Sequence, residues 1–500
     1  MALPSFPDTF DKAIPMNNND IVQKLWSLCD VLRDDGINYS DYVTELVLLL
    51  FIKMEYENTQ SGVIAAHKLP EYARWNVLTA LSGLNLLNEY RAMLLKLSVH
   101  QDPLISAIYA DAQTRLREPR HLEHLIKALD GLDWFSAQKD GLGDLYEGLL
   151  EKNASETKSG AGQYFTPRPL IDSIIALVQP KHGETIQDPA AGTAGFLIAA
   201  DAYIKANTDD LYDLTDKEQT FQRTRAYLGM ELVPDTRRLA LMNCLLHGME
   251  GDDEGVVHLG NTLGSAGSRL PRADIMLSNP PFGTAKGGGG PTRDDLTFDT
   301  SNKQLAFLQH IYRHLKDDGR AAVVLPDNVL FEAGVGAAIR RDLMDKCKLH
   351  TILRLPTGIF YAQGVKTNVL FFSKVSNHAT DSTQHVWVYD LRANMPKFGK
   401  RTPFTRAHFA DFEAAYGADP HGTSPRTDLG DTGRFRVFSR DWIRERGDSL
   451  DISWLKDDNA EDAADLPEPS VLAREAMEEL NGALAELEAI LAELGEEVEA

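Results

Sequence analysis

From residue 184 to residue 372, short apolar runs alternate with segments of helical periodicity, and this alternation restricts the possible folds more than any other feature. The runs are Glu184–Gln187, Ala226–Glu231, Val256–Leu259, Asp274–Ser278, Arg320–Leu325, His350–Leu355 and Asn368–Phe372. Strands that alternate with helices are typical of a doubly wound, mostly parallel sheet. The sequence therefore predicts an α/β fold, with ligands bound at the carboxyl ends of the strands.

The segments before and after this region have other patterns. Residues 1–150 place apolar side chains at helical spacing and show no strand alternation, which predicts an all-helical N-terminal domain. The stretch Asn153–Gly162 is rich in Ser, Thr, Gly and Lys and is typical of a linker. We expect the α/β domain to occupy residues 151–400 and a C-terminal extension to occupy residues 401–462.

The last segment, residues 463–500, begins as an acidic linker and continues with a heptad pattern. Its apolar positions step by three and four, at Met477, Leu480, Leu484, Leu487, Leu491, Leu494 and Val498. Such a seam on a mostly acidic helix predicts a coiled-coil-like helix that packs on a helix of a partner. The alternative is that it folds back on the helical domain of its own chain.

Charge and cysteine usage exclude several classes of protein. The chain has 51 Lys and Arg against 74 Asp and Glu, a formal charge of −23, which excludes a uniformly basic nucleic-acid-binding surface but not a local one. Cys29, Cys244 and Cys347 lie too far apart for a disulfide scaffold or a metal site. The longest apolar stretch, Leu46–Ile52, is too short to span a membrane. We therefore expect a soluble cytoplasmic protein without a metal.

A turn of small residues follows the first apolar run. It reads Asp188-Pro189-Ala190-Ala191-Gly192-Thr193-Ala194-Gly195-Phe196. Small side chains let a cofactor approach the backbone, and the next helix offers its free N–H groups to an anion. The turn matches neither the G-x-G-x-x-G pattern nor a Walker loop, so on its own it does not identify the cofactor.

One polar residue follows each of the next two runs. Glu231 ends the second run, where a carboxylate can accept both ribose hydroxyls of an adenosine group. Its alternative role is that of an exposed carboxylate capping a helix. Asn261 follows the third run and can face the adenine of the same cofactor, or it can be an ordinary turn residue.

The fourth run leads into Asn279-Pro280-Pro281-Phe282. The prolines remove two backbone donors, so we expect the nearby carbonyl groups to point outward without partners, and Asn279 adds an amide oxygen. Two converging acceptors suit an exocyclic amino group, and Phe282 offers a flat face to an aromatic ring. Placed after the small-residue turn and Glu231, this segment predicts a pocket for an adenine taken out of its helix. The alternative is a plain Pro-rich turn.

These segments carry a resemblance to known enzymes. Asn279–Phe282 looks like the catalytic motif of the amino-methylating DNA methyltransferases, and Asp188–Phe196 looks like their S-adenosylmethionine motif. Gly162-Gln163-Tyr164-Phe165-Thr166-Pro167-Arg168 is similar to the motif that closes over the methionine end of that cofactor. Together with the helical N-terminal domain and the segments Leu355–Phe360 and Gly364–Asn368, they resemble the modification subunit of type I restriction–modification systems.

The resemblance implies a fold, a cofactor and the residues that bind it. The implied fold is the Rossmann-like sheet of S-adenosylmethionine-dependent methyltransferases, with about seven mostly parallel strands, and the catalytic domain is residues 151–400. The residues implied to bind S-adenosylmethionine are Gln163, Tyr164, Phe165, Thr166, Pro167, Arg168, Asp188, Ala190, Gly192, Thr193, Ala194, Glu231 and Asn261. Many relatives outside the family have an acidic residue where Asn261 stands, although an amide oxygen can accept the same hydrogen bond.

The resemblance also implies the reaction and the residues that hold the target. Asn279 and Pro280 would accept hydrogen bonds from the N6 amino group of adenine, and Pro281 and Phe282 complete the catalytic motif. Phe282 would stack on the flipped base, and Phe360 would contact its other face or edge. The implied partners are double-stranded DNA, a specificity subunit that binds two modification subunits, and a restriction subunit.

Other functions remain open from the sequence. A stand-alone adenine methyltransferase needs its own recognition domain, for which only residues 375–456 are spare. A methyltransferase acting on N4 of cytosine is chemically close, whereas the absence of a Pro-Cys dipeptide argues against methylation of cytosine C5. A non-catalytic scaffold that binds DNA or the cofactor has no use for Asn279 and Phe282. A nucleotide-dependent oxidoreductase has no use for Asn-Pro-Pro-Phe.

Overall fold

The structure of the chain is a computed structural model. It describes residues 18–37, 42–62, 66–132, 134, 142–157, 165–283, 293–360, 365–396, 398–399 and 402–455. The chain divides into two compact units, Met1–Trp454 and Leu455–Ala500. Apart from Leu455, the second unit lies outside the described residues, and so do the seven positions of the predicted heptad seam.

Helices form the first part of the described chain. They are α1 (Asn18–Ser27), α2 (Cys29–Asp34), α3 (Tyr42–Gln60), α4 (Trp75–Thr79), α5 (Gly83–Ser98), α6 (Pro103–Ile108), α7 (Pro119–Asp130), α8 (Leu142–Thr157) and α9 (Arg168–Val178). Helix α3 is their centre, because every side chain from Leu46 to Ile52 is buried. A helix that is apolar on all sides needs neighbours on all sides, and α7 and α8 are two of them. The all-helical N-terminal region agrees with the sequence prediction.

The rest of the unit is built on one sheet. Its strands are β1 (Ile186–Asp188), β2 (Tyr227–Glu231), β3 (Val257–Leu259), β4 (Ala273–Ser278), β5 (Leu315–Pro326), β6 (Cys347–Arg354), β7 (Thr367–Lys374), β8 (His385–Asp390) and β9 (Phe435–Ser439). The helices that follow β1 are α10 (Gly195–Ala206), α11 (Asp216–Thr224), α12 (Pro234–Leu246), α13 (Ser265–Ser268), α14 (Lys303–His314), α15 (Asp327–Phe331), α16 (Val335–Lys346), α17 (Ala410–Tyr416) and α18 (Arg440–Glu445).

The strand order of the nine-stranded sheet is β3-β2-β1-β4-β5-β7-β6-β8-β9. Strands β1 to β5 pair in parallel with their neighbours in this group, and β8 pairs in parallel with β6. Strand β7 runs antiparallel to both β5 and β6, and β9 runs antiparallel to β8. All eight side chains of β7 are buried, which fits a strand inserted into the middle of a covered sheet.

The fold prediction is confirmed, and the sheet is larger than expected. All seven apolar runs of the sequence became strands β1 to β7. Strands β8 and β9 were not expected, because they lie in a region that sequence analysis left as the end of the α/β domain and its extension. The run Val386–Tyr389 in β8 is β-branched and aromatic, so the signal for that strand was present in the sequence.

A buried arginine on α12 helps to attach the helical region to the α/β region. Arg238 is 6% exposed, and its guanidinium donates to the carbonyl oxygens of Ile108, at 2.8 Å, and Ala110. Its third contact is with Asp235 at 2.8 Å. Helix α12 begins beside the end of β2, so this arginine fixes the helical region close to the carboxyl ends of the strands.

Two further findings bear on the expected class of protein. The three cysteines are buried free thiols, and burial raises the pKa of Cys29 to about 12. Among the helices that the structure describes, none has both the length and the apolar content needed to cross a membrane.

We predict that Arg238→Met loosens the attachment of the helical region. Two buried carbonyl groups would lose their donor, at a cost of roughly 1–3 kcal/mol each. The variant should unfold several degrees below the wild type in differential scanning calorimetry. Arg33→Met is the control, because Arg33 is 69% exposed and pairs only with the equally exposed Asp30. Equal melting temperatures for the two variants would contradict the prediction.

Candidate active site

A cavity of about 560 Å³ opens at the carboxyl ends of β1, β2 and β4. This is the edge at which a doubly wound sheet binds its ligands. Among the expected site residues, those that line the cavity are Phe165, Thr166, Asp188, Ala190, Gly192, Thr193, Glu231, Asn261, Asn279 and Pro281. Ten of the residues that line the cavity are therefore ones that the sequence analysis had named.

Asp188 connects the small-residue turn to the end of β4. Its Oδ1 accepts hydrogen bonds from the N–H of Ala190 at 3.0 Å and from the hydroxyl of Ser278 at 2.8 Å. The side chain is 2% exposed, and burial raises the pKa of Asp188 to about 7, although both hydrogen bonds favour the charged form. The carboxylate that resemblance assigned to the cofactor thus also holds the turn in shape.

Neighbouring elements fix the backbone of the turn. The carbonyl oxygen of Pro189 accepts a hydrogen bond from the hydroxyl of Thr262, and that of Thr193 accepts one from Asn243 Nδ2 at 3.1 Å. Gly192 has φ of +54°, with open space where a Cβ would stand. A side chain at Gly192 would project into that space, so glycine leaves room for a ligand against the backbone.

Ala194 departs from the cofactor role assigned to it. It is fully buried at the start of α10, with φ of +70°, and it is not part of the described cavity wall. An alanine rarely adopts this left-handed conformation. Its place is in the turn, below the ligand surface.

Glu231 faces the small-residue turn from the end of β2. Its Oε2 accepts a hydrogen bond from the N–H of Gly192 at 3.0 Å, and its Oε1 accepts one from the N–H of Val233 at 2.8 Å. Burial raises the pKa of Glu231, and these backbone N–H groups oppose that rise. A carboxylate has about four acceptor positions, so those that the backbone N–H groups leave open can accept from the hydroxyl groups of a ligand.

Asn261 lies at the rim of the same cavity. It is exposed, and its Oδ1 accepts a hydrogen bond from the N–H of Leu263 at 3.0 Å. Both roles considered for it therefore have support, since it shapes a turn and also lines the cavity.

Asn279 lies at the end of β4, across the cavity from the small-residue turn. Its Nδ2 donates to the hydroxyl oxygen of Thr166 at 3.0 Å, which fixes the orientation of the amide. Thr166 and its neighbour Phe165 come from the segment before α9, so two segments far apart in the sequence meet here. Gln163 and Tyr164, from the same motif, lie outside the described residues.

The prediction for the proline carbonyl groups is wrong at one position. The carbonyl oxygen of Pro281 accepts a hydrogen bond from Gln304 Nε2, on α14, at 3.2 Å. The missing backbone donors were correctly read from the sequence, but a side chain from another helix supplies the partner. Pro280 is buried and is not among the residues that line the cavity.

Phe282 and Phe360 lie next to each other, although they come from different loops. Their ring centroids are 6.4 Å apart, with an interplanar angle of 66°. Phe360 is 4% exposed and Phe282 is partly exposed. The two residues assigned to the target base are thus adjacent, beyond the wall that lines the 560 Å³ cavity.

Arg168 and Pro167, which the resemblance assigned to the cofactor, do not line the cavity. Pro167 is the N-cap residue of α9, and Arg168 forms ion pairs with Glu147 and Asp172. The contact with Asp172 is 3.0 Å, and Glu147 lies on α8. Arg168 therefore ties the motif to the helical region.

One group of side chains has the composition of a metal site. Ligand atoms of Asp144, Glu147 and His247 lie within 4.8 Å of one another. Glu147 already pairs with the guanidinium of Arg168, and His247 Nδ1 is 2.9 Å from the carbonyl oxygen of Asn243. A cation held by the group would be repelled by that guanidinium, so we assign no metal to it.

Several residues of the site were not found from the sequence. Those that hold the motifs through hydrogen bonds are Asn243, Thr262, Ser278 and Gln304. Further cavity residues come from α8, from the segment before α14 and from α14 itself, namely Leu150, Asn153, Thr300, Ser301, Lys303 and Phe307. Only Ser278, directly before the catalytic motif, had a position in the sequence that indicated its role.

Comparison with known proteins gives the family. Models described as "N-6 DNA Methylase", "HsdM N-terminal domain" and "Type I restriction enzyme methylase subunit, C-terminal domain" match residues 137–459, 21–129 and 466–500. The methylase subunit of the type I restriction enzyme StySPI from Salmonella potsdam is 56% identical over 96% of each chain. That of EcoKI from Escherichia coli (strain K12) is 56% identical over 97% of each chain.

Solved structures agree with these relatives. The crystal structure of the EcoKI M protein has a TM-score of 0.58 and 50% identity, covering 96% of this chain and 98% of its own. A chain solved in work on complex assembly and conformational transition of the type I R-M system has a TM-score of 0.70 and 26% identity, covering 97% and 100%. The chain described here therefore belongs to the N-6 DNA methylase family, among the methylase subunits of type I restriction enzymes.

Proposed function

We propose that the residues around the cavity transfer a methyl group to N6 of adenine in double-stranded DNA, and that a specificity subunit chooses the sequence. The family assignment makes the chain an S-adenosylmethionine-dependent adenine methyltransferase. The residue roles rest mainly on one observation. Asn279 lines the cofactor-sized cavity, and Phe282, three residues further along the chain, contacts Phe360, so a base held at these two rings would lie close to the amide of Asn279.

The residues of the cavity fit S-adenosylmethionine. The remaining acceptor positions of Glu231 suit the ribose hydroxyls, and the open space above Gly192 admits the ligand to the turn. Leu232 and Val233 would offer apolar surface to the adenine ring, and Phe165 and Thr166 would lie at the methionine end; all four line the cavity. When bound, the cofactor supplies a methyl group that its sulfonium charge has already activated.

The protein acts on the adenine by accepting hydrogen bonds and fixing geometry. The lone pair of N6 is delocalised into the ring, so the amine is a poor nucleophile. The amide oxygen of Asn279 and the carbonyl oxygen of Pro280 would accept hydrogen bonds from the two N–H groups of this amine. These bonds would stabilise the positive charge that develops on nitrogen. Phe282 and Phe360 would hold the ring in line with the methyl group. Asp188 is committed to the turn and to Ser278, so the proton of the product leaves to solvent.

The chain would divide into four parts. We assign residues 1–150 to a helical domain, residues 151–400 to the catalytic domain and residues 401–462 to an extension. Residues 463–500 would form a linker and a helix that binds the specificity subunit. Two copies of the chain would bind one specificity subunit, and a restriction subunit would join the complex. A reaction that needs DNA and S-adenosylmethionine, in a chain with three buried free thiols, supports a cytoplasmic location.

We predict that Asn279→Ala abolishes methylation without loss of cofactor binding. Removing one acceptor aimed at the developing charge should reduce kcat by at least about 100-fold. N6-methyladenine is measured by nucleoside analysis of DNA treated with the complex of chain and specificity subunit. Asn207→Ala, on the far end of α10, is the control. Methylation by Asn279→Ala at the wild-type rate would overturn the catalytic assignment. If the wild-type enzyme formed N4-methylcytosine, the substrate would be cytosine and not adenine.

We predict that Glu231→Gln weakens S-adenosylmethionine binding by roughly tenfold, because hydrogen bonds to a charged acceptor contribute about 1.5 kcal/mol or more. Isothermal titration calorimetry on the purified chain gives the Kd directly. Glu254→Gln removes the same charge from an exposed position and should bind the cofactor as the wild type does. An unchanged Kd for Glu231→Gln would contradict the ribose role of this carboxylate.

We predict that a chain truncated before Pro469 loses the specificity subunit and keeps cofactor binding. A finer test is Leu487→Glu, which puts a charge on the heptad seam, against Ala485→Glu, which puts it beside the seam. Co-purification with a tagged specificity subunit should fall for Leu487→Glu only. Equal recovery of the subunit with all three variants would show that the seam is not the contact.

A further inference from the structure

One arginine joins the ends of four strands on the target side of the sheet. Arg392 lies two residues beyond β8, and its side chain is 12% exposed. Its Nε donates to the carbonyl oxygen of Leu355 at 3.1 Å, and a terminal nitrogen donates to that of Thr367 at 3.0 Å. The terminal nitrogens also bind the two carboxylate oxygens of Asp327, each at 2.9 Å. These partners directly follow β6, begin β7 and directly follow β5.

Two of these partners are the ends of the connection that carries Phe360. This connection leaves β6 at Leu355 and enters β7 at Thr367, and both residues are fully buried. The N–H of Leu355 also donates to the carbonyl oxygen of Thr367 at 3.0 Å. Arg392 therefore closes the base of the connection by binding one carbonyl group from each end.

The first part of the connection is in contact with the segment that follows Arg392. Gly358 has φ of +84°, and a Cβ there would lie 2.5 Å from the carbonyl oxygen of Phe398. Phe398 is itself buried. Because the connection is fixed at its base and packed closely at Gly358, two residues before Phe360, the position of Phe360 depends on both contacts.

We propose that Arg392 is a positioning residue for the target base, which sets the place of Phe360 relative to Phe282 through the base of this connection. The inference rests on the proposed function, because that function assigns the flipped adenine to these two rings. A guanidinium suits the task, since its planar donors bind a carboxylate and two carbonyl groups at once. A lysine keeps the charge but has no fixed geometry for those three contacts.

The same sheet contains a second arginine with similar contacts, on its central strand β5. Arg320 on β5 binds both carboxylate oxygens of Glu184, at 2.7 and 2.9 Å, and the carbonyl oxygens of Val178 and Gln179, at 2.7 and 2.8 Å. Its side chain is 6% exposed. Replacing Arg320 by Lys therefore perturbs the same kind of contacts, one carboxylate and two carbonyl groups, at a site that includes neither ring; Arg392 has one further, longer contact with Asn368 at 3.5 Å.

The test compares Arg392→Lys with Arg320→Lys in the complex of the full chain and its specificity subunit. The DNA carries the mapped target site, with 2-aminopurine in place of the target adenine for one measurement, because its fluorescence rises when it leaves the base stack. We expect Arg392→Lys to lower kcat/KM for DNA by about 10- to 100-fold and to reduce the fluorescence rise. The Kd for S-adenosylmethionine should stay within about twofold of the wild type, because the affected loop is outside the cofactor cavity.

Arg320→Lys should lower the melting temperature to a similar extent and leave the fluorescence rise intact. If both variants lose methylation equally, or if Arg392→Lys keeps the full fluorescence rise, Arg392 is only structural and the inference fails. Asp327→Asn weakens the same set of contacts more mildly and should reduce the fluorescence rise even where Arg392→Lys does not fold. A wild-type complex that methylates no adenine would overturn the proposed function itself, which is a separate result.

Discussion

The site at the carboxyl ends of the strands depends on the carboxylate of Asp188. One oxygen receives the N–H of Ala190, inside the small-residue turn, and the hydroxyl of Ser278, directly before Asn279. The cofactor half and the catalytic half of the site are thus joined at one buried acceptor. A buried carboxylate is costly without hydrogen bonds, and these two donors offset part of that cost. The small-residue turn and the end of β4 are thereby held at a fixed distance from each other.

The helical region also contributes to the site. Leu150 and Asn153 on α8 line the cavity, and Arg168 binds Glu147 on the same helix. Arg238 attaches the earlier helices to α12, which begins beside Glu231. Helix α8 therefore contributes to the wall of the cavity, and the earlier helices are attached to the sheet beside it.

Much of this could be read from the sequence, for identifiable reasons. Strands β1 to β7 are short apolar runs, and the motifs follow their ends, so the edge of the sheet and the positions of Glu231 and Asn279 were predictable. The antiparallel direction of β7 was not, since a buried strand has the same composition in either direction. The ion pair of Arg168 was not predictable, because its partner Glu147 lies on an earlier helix. Gln304 was missed because a glutamine in an amphipathic helix gives no sign of what it contacts.

The position of β7 has a consequence for synthesis of the chain. This strand lies between β5 and β6 in the sheet but follows both in the sequence. On the ribosome, β1 to β5 emerge first and can form the cofactor cavity, while β6 has no partner until residue 374 has been made. Phe360 belongs to the connection between β6 and β7, so the surface for the target base is completed last. The residues of the cavity wall, which extend to Phe307, are thus all synthesised before the connection that carries Phe360 and before the strand that completes its base.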